Sequence, residues 1–147
     1  MNNSTNSSVV KARDHYQTAD HLFHTTFPVA KDPKLLLAIV KSISNCLEYA
    51  LESILLKEGV PVVEGLSKKI NAVRSFATKY HLSSSELTFM LRVHEILYHQ
   101  KQSPMEFKRG DKHIICSDDY GLEVVSVRDV EICLQQTQKI MNLLNKP

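Results

Sequence analysis

The chain has 147 residues, the size of one domain, with only 4 Gly, 5 Pro and no Trp. So few glycines leave no G-x-G-x-x-G or G-x-x-x-x-G-K-[ST] phosphate loop, no G-x-S-x-G elbow, and too few turns for a many-stranded sandwich or barrel. A formal charge of +2, from 18 Lys and Arg against 16 Asp and Glu, supplies no global field to gather nucleic acid or an anionic membrane.

In chain order, residues 1–8, MNNSTNSS, lack the basic flank and apolar stretch of a secretory signal and read as a disordered polar tail, so that residues 9–147 form one domain. A first helix is expected over about residues 9–26, where Val9, Ala12, Tyr16, Ala19 and Phe23 recur at spacings of three and four. Phe27-Pro28 is expected to end it. The second helix opens at Asp32-Pro33 and runs to about residue 57, before Gly59. Its polar residues Lys41, Asn45, Glu48 and Glu52 make a narrow stripe, which places the helix centrally. It also holds the longest uninterrupted apolar run, Leu35 to Val40, far short of a membrane span.

The third helix is expected over residues 67–81, with Leu66, Ile70, Val73, Ala77 and Tyr80 inward. Ser83 to Ser85, with Glu86 behind them, start a fourth, which runs to about Gln102 and stops at Pro104. Around it only Thr88, Arg92, Glu95 and His99 form a polar strip. Met105 to Lys108 and His113 to Cys116 read as a hairpin about Gly110-Asp111. Asp118-Asp119-Tyr120-Gly121 reads as a second turn, and the stretch from Leu122 as a possible third strand. Ser126 caps the last helix, about residues 127–145, whose main face is Val130, Cys133, Leu134, Ile140, Met141 and Leu144. Ile132 and Leu143 fall off that face and are candidates for meeting another chain. The fold class expected is mainly α: an antiparallel five-helix bundle with a small β-hairpin before the last helix.

Four constellations bear on chemistry. No two of the seven histidines are four apart, so H-E-x-x-H is absent, as is Glu-x-x-His. Asp20 and His24, one turn apart with His21 near, could begin a metal site, but solvated side chains are the simpler reading, and no metal or other cofactor is expected. His94, on the apolar face of the fourth helix, reads as a core or interface histidine with one satisfied nitrogen. Cys46, Cys116 and Cys133 form no C-x-x-C pair and read as reduced thiols of a cytoplasmic protein, with Lys112 and His113 near Cys116 as the one activating neighbourhood.

Lys68, Lys69, Arg74 and Lys79 occur without an acid between residues 66 and 82, and Lys101, Lys108, Arg109 and Lys112 follow at the next helix end and hairpin. Lys68, Lys69, Lys79, Lys108, Arg109 and Lys112 are the candidate RNA-contacting residues, against the alternative of a solvated face. Arg92 and His99 lie two turns apart on one helix, with Glu95 between them. Arg can stabilise the charge of a phosphorane and His can move a proton near neutral pH, so Arg92, Glu95 and His99 are the candidate catalytic residues. The alternative is a polar strip in which Glu95 pairs with Arg92 or His99.

Long helices with Arg-x6-His on one of them resemble the HEPN superfamily, small helical domains, often dimeric, found as RNases or as nucleotide- and RNA-associated partners. Arg92 and His99 match the spacing of the family motif at its upper limit. Val93 stands where active members carry a polar residue, which weighs against ribonuclease activity. The stretch from Ser103-Pro104-Met105-Glu106-Phe107 through Lys112 to Tyr120 is similar to the tail of small uncharacterised archaeal proteins, in which helices precede a short hairpin and a final helix. That resemblance implies a fold and no activity. The combined expectation is a non-catalytic, HEPN-like module without a membrane, working as a homodimer or with a protein partner and contacting RNA or protein. The competing expectations are a metal-independent ribonuclease using Arg92 and His99, and a helical metal-site protein.

Overall fold

Asp32 and Pro33 set the start of the longest helix. The Asp32 carboxylate accepts from the Lys34 backbone N–H at 3.0 Å, Pro33 already has helical dihedrals, and the chain continues as α2 (Lys34–Glu58) until Gly59, at φ 70°, caps it. The computed structural model describes residues 3–103, 105–116 and 122–145 and is mainly helical. Besides α2 it contains α1 (Asn3–His21), α3 (Leu66–Val73), α4 (Ser84–Gln102) and α5 (Val127–Leu144). The turn at residues 118–121 and Pro104 lie outside the described residues.

The narrow polar stripe of α2 predicts a central helix, and twelve of its residues are buried, among them Leu36, Ile39, Ile43, Leu47, Leu51 and Leu55. Helices α1, α3, α4 and α5 and the sheet all touch it. Much of the stripe is itself occupied by partners. Glu52 accepts from Ser8 Oγ of α1 at 2.7 Å, and Glu48 pairs with Lys69 of α3 at 3.3 Å.

Helix α1 departs from expectation at both ends. It begins at Asn3, so residues 3–8 are helix and not a disordered tail. Thr5 and Ser8 are buried and extend the face of Ala12 and Ala19 toward the N-terminus with small polar side chains, which a hydrophobic pattern passes over. At the other end Phe27-Pro28 does not stop it. The chain widens into a π-helical turn at Leu22–Thr26, with the Phe27 N–H bonded to the Leu22 carbonyl, and then returns to α geometry over Phe27–Ala30. Pro28 sits in the first turn of that segment, where its missing N–H is tolerated. Lys31, at φ 53°, ends the path.

Helix α3 is shorter than the expected 67–81. After Val73 the chain tightens into 3₁₀ turns at Arg74–Phe76 and Thr78–Tyr80, and His81 at φ 64° closes it. The inward face is nevertheless the expected one: Leu66, Ile70, Val73 and Ala77 are buried. Ser83 and Ser126 start α4 and α5 by capping boxes. The Ser83 N–H donates to Glu86 Oε1 at 2.7 Å, and Ser126 and Asp129 exchange reciprocal bonds of 3.1 Å.

The expected hairpin is part of a three-stranded antiparallel sheet, ordered β1 (Met105–Arg109), β2 (Lys112–Cys116), β3 (Leu122–Val125). Its register alternates side chains between two faces. Ile115, His113 and Val125 point inward and are buried, Ile115 and Val125 in the main apolar core. Met105, Phe107, Ile114, Cys116, Leu122 and Val124 share the outer face. Among the described residues no helix is long and apolar enough to cross a membrane.

Candidate functional site

Helix α4 presents Arg92 and His99 on one side because seven residues are nearly two turns. The strand β3 lies against that side, and its single acid, Glu123, is on the inward face beside Ile115. Glu123 is therefore delivered to both helix residues. The Arg92 guanidinium clasps the carboxylate with two hydrogen bonds, one from Nη1 to Oε1 at 2.7 Å. His99 Nδ1 stands 3.4 Å from the same Oε1. Glu95, the partner expected from sequence, is 4.0 Å from Arg92 and points to solvent. The acid that organises the strip is thus Glu123, whose side chain is 13% exposed, against 47% for Arg92 and 44% for His99.

The electrostatics follow from that geometry. Hydrogen bonding from Arg92 holds the Glu123 carboxyl below its ordinary range against the opposing effect of burial, with a smaller contribution from His99. The same bond raises the Arg92 guanidinium above its usual value. A bidentate Arg–carboxylate pair has fixed geometry as well as charge, so it fastens β3 to α4. Beside it Phe89, Ile96, Val124, Val125, Ile132 and Cys133 line an apolar cleft of about 200 Å³ with Arg92 and Asp129 on its wall. A larger cavity of about 710 Å³ lies at the opposite edge of the sheet, between Lys34 and Leu37 of α2, Gln100 of α4 and Glu106, Phe107, Lys108 and His113. There His113 Nε2 is 2.8 Å from Glu106 Oε1, and its buried Nδ1 has no partner among the described residues.

The expected basic surface divides. Lys69 is buried and paired to Glu48, so it is withdrawn from an RNA-facing surface; three residues after Leu66 and four before Val73, it lies on the inner side of α3. Lys79 is exposed but pairs with Glu58 at 2.9 Å and lies over the Tyr80 ring. Tyr80 also donates to Glu58 at 2.6 Å, which with Lys79 pulls that carboxyl below its ordinary range. Lys68, Lys108, Arg109 and Lys112 are exposed, with no ion pair among the described residues. Arg109 and Lys112 are register partners on the outer face at the hairpin tip, and Lys108 is on the other face.

The remaining candidates are placed as follows. His24, in the π-helical turn, pairs with Asp20 of α1 at 3.0 Å with both side chains open to solvent, His21 is exposed, and no three His, Cys, Asp or Glu side chains converge among the described residues. His94 is half-buried beside Tyr98, with ring centroids 6.1 Å apart, and lacks the hydrogen bond expected of it among the described residues. Cys116 and His113 point to opposite faces of β2, and Lys112 is four residues away, roughly 13 Å along the strand, so neither activates the thiol. Burial pushes the Cys46 and Cys133 thiols up to about 12 and about 11, which makes them small apolar side chains rather than nucleophiles. Ile132 is exposed as expected, whereas Leu143 packs partly against the core. No protein-family model matches the chain, and no curated protein matches it.

Proposed function

We propose that this chain is a non-catalytic, HEPN-like interaction module of the cytoplasm, an antiparallel five-helix bundle that works as a dimer and contacts RNA or a protein partner. The observation that carries the reading is the Arg92–Glu123 clasp. An arginine that stabilises a phosphorane must offer its N–H groups to the substrate, and Arg92 already gives two of them to a carboxylate. Glu123 also brings negative charge to the place where a phosphodiester would sit. Lys68, Lys108, Arg109 and Lys112, exposed and without an ion pair among the described residues, supply the cations for an RNA backbone.

The test is cleavage and binding of a single-stranded RNA in EDTA. Wild type and His99→Ala are expected to show the same background rate. Replacing Lys108, Arg109 and Lys112 by alanine is expected to weaken salt-dependent RNA binding and reduce its salt slope. Cleavage that depends on His99 would overturn the non-catalytic reading. A metal-independent ribonuclease is the second reading, supported by the half-exposed positions of Arg92 and His99 about one carboxylate. In that reading Arg92 stabilises charge and His99 moves the proton.

A further inference from the structure

An antiparallel sheet with one face on a helical core ordinarily turns a polar face to water. This sheet does so only at its Arg109–Lys112 tip. Across the outer face run two rows of register partners, Met105–Cys116–Leu122 and Phe107–Ile114–Val124, and all six side chains are apolar. Met105 is 60% exposed, Leu122 64%, Phe107 41% and Val124 39%. Ile114, between Phe107 and Val124 on the central strand, is shielded. The patch continues onto α5, because Val124 and the exposed Ile132 line one cleft.

We infer that this outer sheet face is where two copies of the chain associate, stacked sheet on sheet about a two-fold axis. The inference rests on the dimer proposed above and names its surface. Area supports it first. The four exposed sheet side chains and Ile132 leave roughly 500 Å² of apolar surface open, at the upper end of what a monomer carries. Two such patches bring about 1,000 Å² together, the size at which a specific interface begins. Shape supports it second. A second sheet covers a three-stranded face at a spacing of about 10 Å, with the side chains of the two faces interdigitating.

Symmetry supports it third. An axis that crosses the strands between the two rows lays each row of one copy over the other row of its partner, so the patch is complementary to itself. The same operation carries the two Arg109–Lys112 tips to opposite ends of the interface, where their like charges do not meet.

Light scattering and sedimentation of the full chain, from low micromolar to on the order of 100 μM, test the inference. Wild type is expected to dimerise, and Leu122→Lys to remain monomeric with the far-ultraviolet circular dichroism of wild type, since Leu122 is largely outside the core. Leu122→Ser removes apolar area without adding charge. It is lost from both copies at once, so it is expected to raise the dissociation constant about a hundredfold. Should Leu122→Lys fail to fold, the serine variant still decides. A wild-type monomer throughout the range overturns both this surface and the dimer. A dimer that persists in both Leu122 variants but is lost in Tyr98→Lys, on the open side of α4, overturns the sheet face alone.

Discussion

Helix α2 and the three-stranded sheet sit side by side in the molecule, and the two are covered to different extents. Around α2 four helices and β2 close over the apolar side chains, and even Glu48 and Glu52 find partners on α3 and α1. The sheet is covered on one face. Ile115 and Val125 are sealed into the core, while Met105 and Leu122 face outward with most of their surface open. Apolar content alone therefore says little about where stability resides. A leucine of α2 and a leucine of β3 have the same chemistry and different neighbours, so they separate in what they do: one holds the fold, the other is free to hold a partner.

The largest expected effect breaks the first half of that contrast. Leu51 is fully buried at the middle of α2. Leu51→Ala is expected to lose about 2–5 kcal/mol of unfolding free energy, from lost transfer and a residual cavity. Urea denaturation followed by circular dichroism measures it. A loss below about 1 kcal/mol would mean that α2 is not the centre of the core.

How much of this was readable in advance follows the same line. Helical periodicity is local, so Val130, Cys133, Leu134 and Ile140 announced the inner face of α5, and Ser83 with Glu86 announced the start of α4. A residue's face in a strand depends on register, and a one-residue slip exchanges the two faces. In the run Leu122-Glu123-Val124-Val125 nothing local says whether Glu123 or Val124 points inward. The acid that organises Arg92 and His99 was invisible for that reason, and Glu95, close in sequence, took its place. A lone acid in an apolar strand following a helix that carries Arg and His is the signal that could have found it. Thr5 and Ser8 were missed for a different reason: small hydroxyl side chains fit beside a neighbouring helix as well as alanine does, and no hydrophobic pattern records them.

The clasp between α4 and the sheet carries the next effect. Glu123→Ala removes the acceptor of two Arg92 hydrogen bonds. Because Arg92 is half exposed and regains water, the expected loss is about 1–2 kcal/mol, well under that of an uncompensated buried charge. Arg92→Ala alone is expected to cost more, because it leaves the mostly buried Glu123 carboxylate with only His99 beside it, and the double variant is expected to cost less than the sum of the two. Additive losses would show that the two side chains act independently and that β3 is held by packing alone.

Acid probes the same contact more gently. Glu58, Glu86 and Glu123 are each held below the ordinary carboxyl value of 4.5, chiefly by hydrogen bonds from Tyr80, from the Ser83 backbone and from Arg92 respectively. The folded protein thus binds these protons more weakly than the unfolded chain. The stabilisation is complete above the ordinary value and is lost as pH falls through the lowered ones. The melting temperature is expected to be flat between about pH 7 and pH 5 and to fall below that, and Glu123→Gln is expected to flatten part of the fall. An unchanged acid slope in that variant would remove Glu123 from the account.

On the open face the expectation is near zero. Leu122→Ala, measured on dilute protein, is expected to change unfolding free energy by no more than about 0.5 kcal/mol, because little of the side chain is withdrawn from water on folding. That value set beside Leu51→Ala is the contrast in its simplest form. A loss of about 2 kcal/mol at dilution would mean that the outer face is part of the monomer's own core.

The gentlest probe leaves the sequence intact. Cys46 and Cys133 are buried, with their thiols pushed up to about 12 and about 11, so neither supplies thiolate near neutral pH. Cys116 is half-buried in the outer row between Met105 and Leu122. A thiol reagent is therefore expected to modify one cysteine in the native protein and all three after denaturation. The rate at Cys116 carries the further information. If copies stack on the outer face, the row that holds Cys116 is covered in the dimer, and the rate falls as protein concentration rises at constant reagent excess. A rate independent of concentration, in a sample that scatters light as a dimer, would place the contact elsewhere and leave the outer face of the sheet open in the assembled protein.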